Sequence, residues 1–160
     1  LREYGQTKKY EHDIHGFNNR LDGMQAAFLA IKLAHLDAWN EDRRRVAQGL
    51  IERLQGIEDL KLPSTAQNNV HTYHLFVVKT SQRESLKDFL DTHGVQSGIH
   101  YPIPIHLQKA FEYLGKPKGS YPESERSSLN VLSLPIFPKM NDQEIQEVSS
   151  KVRLFFEKAH

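Results

Sequence analysis

The hydrophobic positions of the chain predict two successive helices in its first third. Between Leu21 and Leu36, apolar residues fall on nearly every side of a helical projection, over a length too long for a strand and too short to span a membrane. We therefore expect a helix that is buried on most sides. From Asp37 to Leu54, apolar residues occupy one face and charged residues the other, which predicts an amphipathic helix that stops near Gly56.

Shorter elements follow in the rest of the chain, after a polar, turn-rich connector over residues 63–69. The pattern predicts strands over residues 73–79, 95–99 and 132–135, short helices over residues 83–92, 107–114 and 123–131, and a last helix behind a capping box of Asn141 and Glu144. Residues 100–106 hold prolines at alternate positions, which removes donors that a central strand needs. We expect an extended loop there, at a sheet edge or lining a cleft.

The order of these elements predicts a fold of the α/β class. Residues 1–20 have no helical period and are expected to form an ordered loop. A boundary near residue 60 would separate a loop with interface helices, residues 1–60, from a small α+β lobe with a small mixed sheet, residues 61–160. Hydrophobic residues make up 38% of the 160 residues and charged residues 26%, so the core must be thin or shared.

Charge and residue usage exclude several kinds of partner. Lys and Arg number 21 against 20 Asp and Glu, and a net charge of +1 gives no general attraction to nucleic acid or anionic membrane. The chain has no long apolar run and no signal-peptide pattern, so we expect a soluble, cytoplasmic protein without a membrane partner. Cysteine is absent, which excludes disulfides and thiolate sites. The first residue is Leu1 and not methionine, which suggests a piece of a longer protein.

The chain contains no self-contained catalytic motif. Its nine histidines have no Asp or Glu at a metalloprotease spacing, which favours surface or hydrogen-bonding histidines over a metal site. No G-x-S-x-G elbow and no glycine-rich nucleotide-binding loop is present.

Three segments still carry candidate chemistry. Residues 16–20 precede the first helix, where backbone amides, Asn side chains and a guanidinium suit a phosphate, with ordinary helix capping as the alternative. Residues 100–106 offer two imidazoles and a phenol for hydrogen bonding or proton transfer, or form only a proline-stiffened connection. Residues 43–45 are three arginines, which form either a solvated face or a contact for an acidic partner.

Ordered motifs over essentially the whole chain closely resemble the DegT/StrS family of sugar aminotransferases. In the first part they are Arg2-x-Tyr4-Gly5, Lys9-Tyr10-x-His12, Gly16-x-Asn18-x-Arg20-Leu21-Asp22, Gln25-Ala26-Ala27-x-Leu29, Lys32-Leu33, Leu36-Asp37-x-Trp39-Asn40 and Arg43-Arg44. Further along they are His100-Tyr101-Pro102-x-Pro104-x-His106, Pro122 with Ser124-Glu125, and Leu132-Ser133-Leu134-Pro135-Ile136-x-Pro138.

The resemblance implies the C-terminal portion of a fold-type-I enzyme that uses pyridoxal 5'-phosphate (PLP). In this family the lysine that forms the Schiff base precedes the Arg-x-Tyr-Gly motif, so this chain holds no catalytic residue of that kind and is expected to be inactive alone. The implied reaction moves an amino group, usually from glutamate, onto a keto-sugar carried by a nucleoside diphosphate. Such enzymes serve deoxyamino-sugar biosynthesis for polysaccharides or antibiotics.

The resemblance also assigns site residues. Asn18 is implied to reach across a homodimer to the PLP phosphate of the other subunit, with Arg20 as a nearby positioning residue. His100, Tyr101 and His106 are implied to line the sugar-nucleotide cleft.

Two alternatives stay open. A sugar dehydratase of the same family has histidine in place of the lysine, and the deciding residue lies outside this sequence. A noncatalytic module would only dimerise or bind sugar nucleotides. If this piece is made alone, we expect it to form an oligomer, because the apolar helix over residues 24–34 would lose its cover and expose a hydrophobic patch.

Overall fold

The computed structural model describes residues 3–158, which form two compact units with the division between Ala38 and Trp39. In chain order the elements are β1 (Gln6–Lys8), β2 (Glu11–His12), α1 (Gly23–Leu33), α2 (Leu36–Leu54), β3 (Phe76–Lys79), α3 (Arg83–Thr92), α4 (Pro122–Asn130), β4 (Val131–Leu134) and α5 (Asp142–Lys158). Short 3₁₀ turns cover Ile105–Leu107 and Lys109–Leu114. The predicted domain boundary near residue 60 refers to the domains of a whole enzyme, and it stays a prediction.

The core of the second unit forms where α2, α3 and α5 bury their apolar stripes against a two-stranded sheet. Strands β3 and β4 pair antiparallel, from Phe76 opposite Leu134 to Lys79 opposite Val131. The helices contribute a shared set of fully or almost fully buried side chains, namely Val46, Ala47, Leu50, Leu54, Leu86, Leu90, Ile145, Val148, Val152 and Phe156. Each buried leucine contributes about 2 kcal/mol to stability through the apolar area removed from water.

The arginines at 43–45 play a different part from the one expected. Nη1 of Arg43 donates to the backbone oxygen of Ile136 at 3.1 Å and, at 3.4 Å, to those of Tyr73 and His74. Nη2 of Arg45 donates to the backbone oxygen of Met140 at 2.7 Å. The prediction of a solvated face is therefore wrong for Arg43, whereas the side chain of Arg45 is 46% exposed and lies on such a face. Their guanidiniums hold chain segments that α2 packs beside, because buried carbonyl oxygens need donors.

Local differences from the expected elements follow from backbone chemistry. The ordered loop at the start contains the short antiparallel pair β1 and β2. No strand forms over residues 95–99, where pairing is limited to one bridge between Gly98 and Ser133. The prolines that follow at 102 and 104 cannot extend that bridge into a ladder. The expected helix over residues 107–114 is present as 3₁₀ turns that end at Gly115, whose φ is +60°.

The first helix is exposed, which corrects the prediction that it is buried on most sides. No residue of α1 is buried in the described chain, and the side chains of Met24, Phe28 and Ile31 are 70%, 58% and 67% exposed. These three positions share one helix face. An apolar face is buried only when another surface covers it, and none of residues 3–158 does so.

The helices of residues 3–158 do not reach the combined length and apolarity that a membrane crossing requires. Among the same residues, no cluster of three or more His, Asp or Glu side chains could hold a metal ion.

Candidate functional site

The N-terminus of α1 is capped by the side chain of Asp22. The carboxylate of Asp22 accepts hydrogen bonds from the backbone amides of Met24 at 2.9 Å and Gln25 at 3.1 Å. This is the capping geometry that lowers the free energy of a helix end by about 1 kcal/mol. Asp22 therefore caps this helix, and these two amides are not available to a phosphate.

The side chains of Asn18 and Arg20 lie exposed just before that cap. The backbone of Asn18 forms a bridge with Glu3, which fixes the position of the segment. Arg20 makes an ion pair with Glu3 at 3.5 Å and lies over the ring of Tyr4 at 5.5 Å. An exposed ion pair of this kind contributes at most about 1 kcal/mol, so the guanidinium can exchange its carboxylate for a stronger anion. An amide and a guanidinium are also donors that suit a phosphate dianion, and this donor set therefore fits the phosphate of PLP.

The lysines within residues 3–158 are all exposed or half-buried. A lysine amine becomes nucleophilic when its pKa is lowered by burial or a nearby cation. The pKa of Lys87 moves the other way, since a hydrogen bond to Asp91 and the charge of that carboxylate raise it.

The loop over residues 100–106 is held at its first end by β4. Nδ1 of His100 lies 2.9 Å from the hydroxyl of Ser133, and the backbones of Gly98 and Ser133 exchange two hydrogen bonds at 3.0 and 2.7 Å. Beyond this anchor, the side chain of Tyr101 is 73% exposed. His100 and Tyr101 line a shallow cleft of about 200 Å³ together with side chains of the loop and of α4.

His106 lies at the other end of the loop, and its ring faces inward. Its Nε2 lies 2.9 Å from Oε1 of Glu125, and the two side chains are only 7% and 13% exposed. The ring packs edge-on against Tyr121 with centroids 4.9 Å apart. The structure therefore places His100 and Tyr101 on one cleft, whereas the His106 ring points toward Glu125 of the same chain. Asn18 and Arg20 belong to the other compact unit.

The sequence analysis named Glu125 only as part of a family motif and did not predict a structural role for it. Its carboxylate also accepts from the backbone amide of Gly119, at 2.8 and 2.9 Å to its two oxygens, and from that of Tyr121 at 3.3 Å. Burial raises the pKa of Glu125, but the hydrogen bonds from His106, Gly119 and Tyr121 lower it by more, so the net pKa lies below the ordinary value. The sequence signal for this role was a glutamate in the first turn of a helix that follows a glycine-containing loop, where a carboxylate can accept hydrogen bonds from backbone amides.

Comparison with known proteins assigns the chain to a family. Residues 1–153 match the model of the DegT/DnrJ/EryC1/StrS aminotransferase family, and the chain belongs to that family. The family depends on PLP. The resemblance found in the sequence is thus confirmed.

Two curated relatives and one solved structure show how far the similarity extends. The dTDP-3-amino-3,4,6-trideoxy-alpha-D-glucose transaminase of Streptomyces venezuelae is 42% identical over 158 residues, which cover 99% of this chain and 42% of that protein. The UDP-N-acetyl-3-dehydro-alpha-D-glucosamine 3-aminotransferase of Acidithiobacillus ferrooxidans is 38% identical over 153 residues, 96% of this chain and 41% of that protein.

The crystal structure of DesV from S. venezuelae, solved in complex with a ketimine intermediate, matches with a TM-score of 0.92 and 42% identity over 98% of this chain and 42% of that one. The predicted α/β class, as part of a PLP-dependent transferase fold, is confirmed. The chain spans about two-fifths of the length of these relatives.

Proposed function

We propose that this chain corresponds to the C-terminal part of a PLP-dependent aminotransferase that moves an amino group, from glutamate as donor, onto a nucleotide-linked keto-sugar. The observation that carries the proposal is the family match over residues 1–153, joined to relatives named as transaminases of dTDP- and UDP-linked sugars. The pathway we propose is deoxyamino-sugar biosynthesis for a polysaccharide or an antibiotic. The chain alone is inactive in this proposal, because the family resemblance implies that the Schiff-base lysine precedes the Arg-x-Tyr-Gly motif.

The residues of the first unit would hold the cofactor. PLP supplies an aldehyde for imine formation and a ring that accepts electrons from the bound substrate. The amide of Asn18 would bind its phosphate in the other subunit of a homodimer, with Arg20 as a nearby positioning residue, and would thereby fix where the cofactor lies. The exposed position of both side chains and their donor chemistry support this role.

The loop over residues 100–106 would line the sugar-nucleotide cleft. His100 and Tyr101 offer ring N–H and O–H groups at the surface of the cleft, where hydroxyl and phosphate oxygens of a substrate can accept hydrogen bonds. His106, the third residue of the predicted substrate set, belongs to the same loop.

A homodimer and a cytoplasmic location complete the proposal. The uncovered apolar face of α1 supports a dimer, since a second subunit would remove that face from water. The absence of cysteine fits a reducing compartment, where no disulfide is needed. In this proposal, residues 1–60 supply the interface helices, and residues 61–160 form the small domain.

The test is a spectroscopic PLP titration with borohydride trapping, on this chain and on the same chain with its upstream sequence. We expect trapping on a lysine only in the longer protein. Trapping of this chain at one specific lysine would contradict the site assignment. A longer protein with histidine at the Schiff-base position would favour the dehydratase, and one without a PLP domain would favour the noncatalytic module.

Substitutions of two neighbouring asparagines, Asn18 and Asn19, test the phosphate contact in the longer protein. Asn18→Ala should weaken PLP binding by about tenfold, the effect of losing one hydrogen bond to a charged group. Asn19→Ala removes an equally exposed amide one residue away and is expected to leave binding unchanged. Equal losses in both variants would contradict the assignment of Asn18.

A further inference from the structure

Residues 100–106 are attached to the rest of the second unit at both ends, and most of the side chains between the ends are exposed. At one end His100 lies against Ser133 of β4 at 2.9 Å. At the other end His106 lies against Glu125 of α4 at 2.9 Å. Between these attachments the side chains of Tyr101, Ile103 and Ile105 are 73%, 49% and 71% exposed. The two contacts therefore set the path of a loop whose side chains face outward at Tyr101, Ile103 and Ile105, while Pro104 is buried.

Glu125 also binds a second segment, residues 115–121, beside its contact with His106. Its carboxylate accepts from the amides of Gly119 and Tyr121, which belong to the segment between the 3₁₀ turns and α4. The ring of Tyr121 in turn packs edge-on against His106. One carboxylate thus connects three parts of the chain: the end of the loop over residues 100–106, called the Tyr101 loop below, the segment over residues 115–121, and the first turn of α4.

The contact occupies Nε2 of His106 and Oε1 of Glu125. Nε2 of His106 is occupied by Glu125, and only 7% of the side chain is exposed. Oε1 of Glu125 already receives three hydrogen bonds, and Oε2 receives one from Gly119. A buried carboxylate with its lone pairs occupied in this way is a poor general base, because accepting a proton would cost it these bonds.

We propose that His106 and Glu125 are positioning residues that hold the Tyr101 loop and residues 115–121 in the shape that receives the sugar nucleotide. The identity of the ligand rests on the proposed function, whereas the clasp, meaning the His106–Glu125 pair with the Gly119 and Tyr121 amides, rests on the contacts alone. Tyr101 would meet the substrate, and His106 would act only through Glu125.

The first test is hydrogen exchange followed by mass spectrometry, on the protein with its upstream sequence. His106→Ala and Glu125→Ala should each speed exchange over residues 115–121 by about tenfold, because the buried acceptor or its partner is lost. His106→Gln, which keeps an amide N–H near the position of Nε2, should restore most of the protection. Exchange over β3 and β4 should stay unchanged, which reports an intact core.

Glu123→Gln is the matched control, since Glu123 is an exposed glutamate of the same helix that pairs with Arg126. It should leave exchange over residues 115–121 at the original rate. Unchanged exchange in His106→Ala, or equal acceleration in Glu123→Gln, would overturn the clasp.

The second test separates positioning from a general loss of structure. In steady-state kinetics of the longer protein, His106→Ala should raise KM for the nucleotide sugar by about tenfold while KM for the amino donor stays the same. A change in both KM values, or in kcat alone, would overturn the positioning role. If the longer protein transaminates no nucleotide sugar, the proposed function fails, and the exchange result still decides the clasp.

Discussion

The two histidines that end the loop over residues 100–106 show how surroundings decide what a side chain does. His100 is exposed beside a serine hydroxyl, whereas His106 is enclosed between a carboxylate and a tyrosine ring. The sequence presents them as equivalent candidates six residues apart. Burial removes His106 from solvent and leaves His100 as the imidazole at the surface of the cleft.

A single carboxylate, Asp59, should contribute stability that depends on pH. It accepts hydrogen bonds from Ser81 Oγ at 2.6 Å and Thr80 Oγ1 at 2.9 Å. Hydrogen bonds from Ser81 and Thr80 lower the pKa of Asp59 below its ordinary value of 3.8, although burial opposes the shift. A lowered pKa means that the contribution is present above pH 3.8 and is lost as the pH falls through the folded-state value.

Asp59→Asn should therefore lower the free energy of unfolding at pH 7 by about 1.5–3 kcal/mol, the range for hydrogen bonds to a charged group. The difference from the unchanged protein should persist at pH 5 and shrink below pH 3.8. Urea unfolding at several pH values measures it. Glu58→Gln, at the exposed neighbour, should show no such trend, and an Asp59→Asn effect of equal size at both ends of the range would contradict the argument.

The lack of a side chain at Gly98 leaves room for the ring of His100. A Cβ built on Gly98 would lie 2.8 Å from Cε1 of the His100 ring, closer than real Cβ contacts come. Gly98→Ala should therefore push the imidazole away from Ser133. The NMR signals of the His100 ring should shift, whereas Gly23→Ala, where the new methyl meets nothing within 4 Å, should leave them in place. An unmoved His100 signal in Gly98→Ala would show that the ring has room elsewhere.

At the scale of elements, local signals explain where most helices begin and end. Helix α3 covers the predicted residues 83–92, and α2 begins one residue before its predicted start. Strand β3 is shorter than predicted at its first end, and residues 95–99 form only one bridge. A helix closes its hydrogen bonds within its own segment, so its signals are local. A strand needs a partner whose register the segment itself does not encode.

The capping box of α5 should have a measurable effect. The amide of Asn141 donates to Glu144 at 2.7 Å, and the amide of Glu144 donates to Asn141 Oδ1 at 2.9 Å. Asn141→Ala removes the acceptor for an amide at the helix start, and it should cost about 1 kcal/mol. Chemical denaturation measures the loss. Gln143→Ala, exposed in the same turn, should change stability by less than about 0.5 kcal/mol, and an equal loss in both would argue against the box.

At the scale of the whole molecule, the apolar face of α1 governs association. Met24, Phe28 and Ile31 share that face and remain in contact with water. We expect the 160-residue chain to form oligomers, because burying such a face against a second copy removes apolar area from solvent.

Phe28→Glu together with Ile31→Glu should shift the chain toward monomer, since burying two carboxylates in an apolar interface is costly. Light scattering at micromolar concentration measures the change. Gln25→Glu adds one carboxylate at an exposed polar position of α1 and should leave the oligomer intact. A monomer before any substitution would contradict the association itself.

The sequence by itself determined the local architecture and the family. Hydrophobic period, glycine and proline positions and capping residues act within a few residues of one another, so α2, α3 and α5 could be predicted from them. The ordered motifs, from the loop before α1 to the segment after β4, identified the family in the same way.

Only the tertiary structure decided which distant groups meet. Arg43 binds the backbone oxygen of Ile136, and His106 binds Glu125. Backbone carbonyls are the same at every position, so no residue type marks the one that an arginine will hold. The exposure of α1 is likewise a property of the folded surface, since the same apolar helix is buried or bare according to what packs on it.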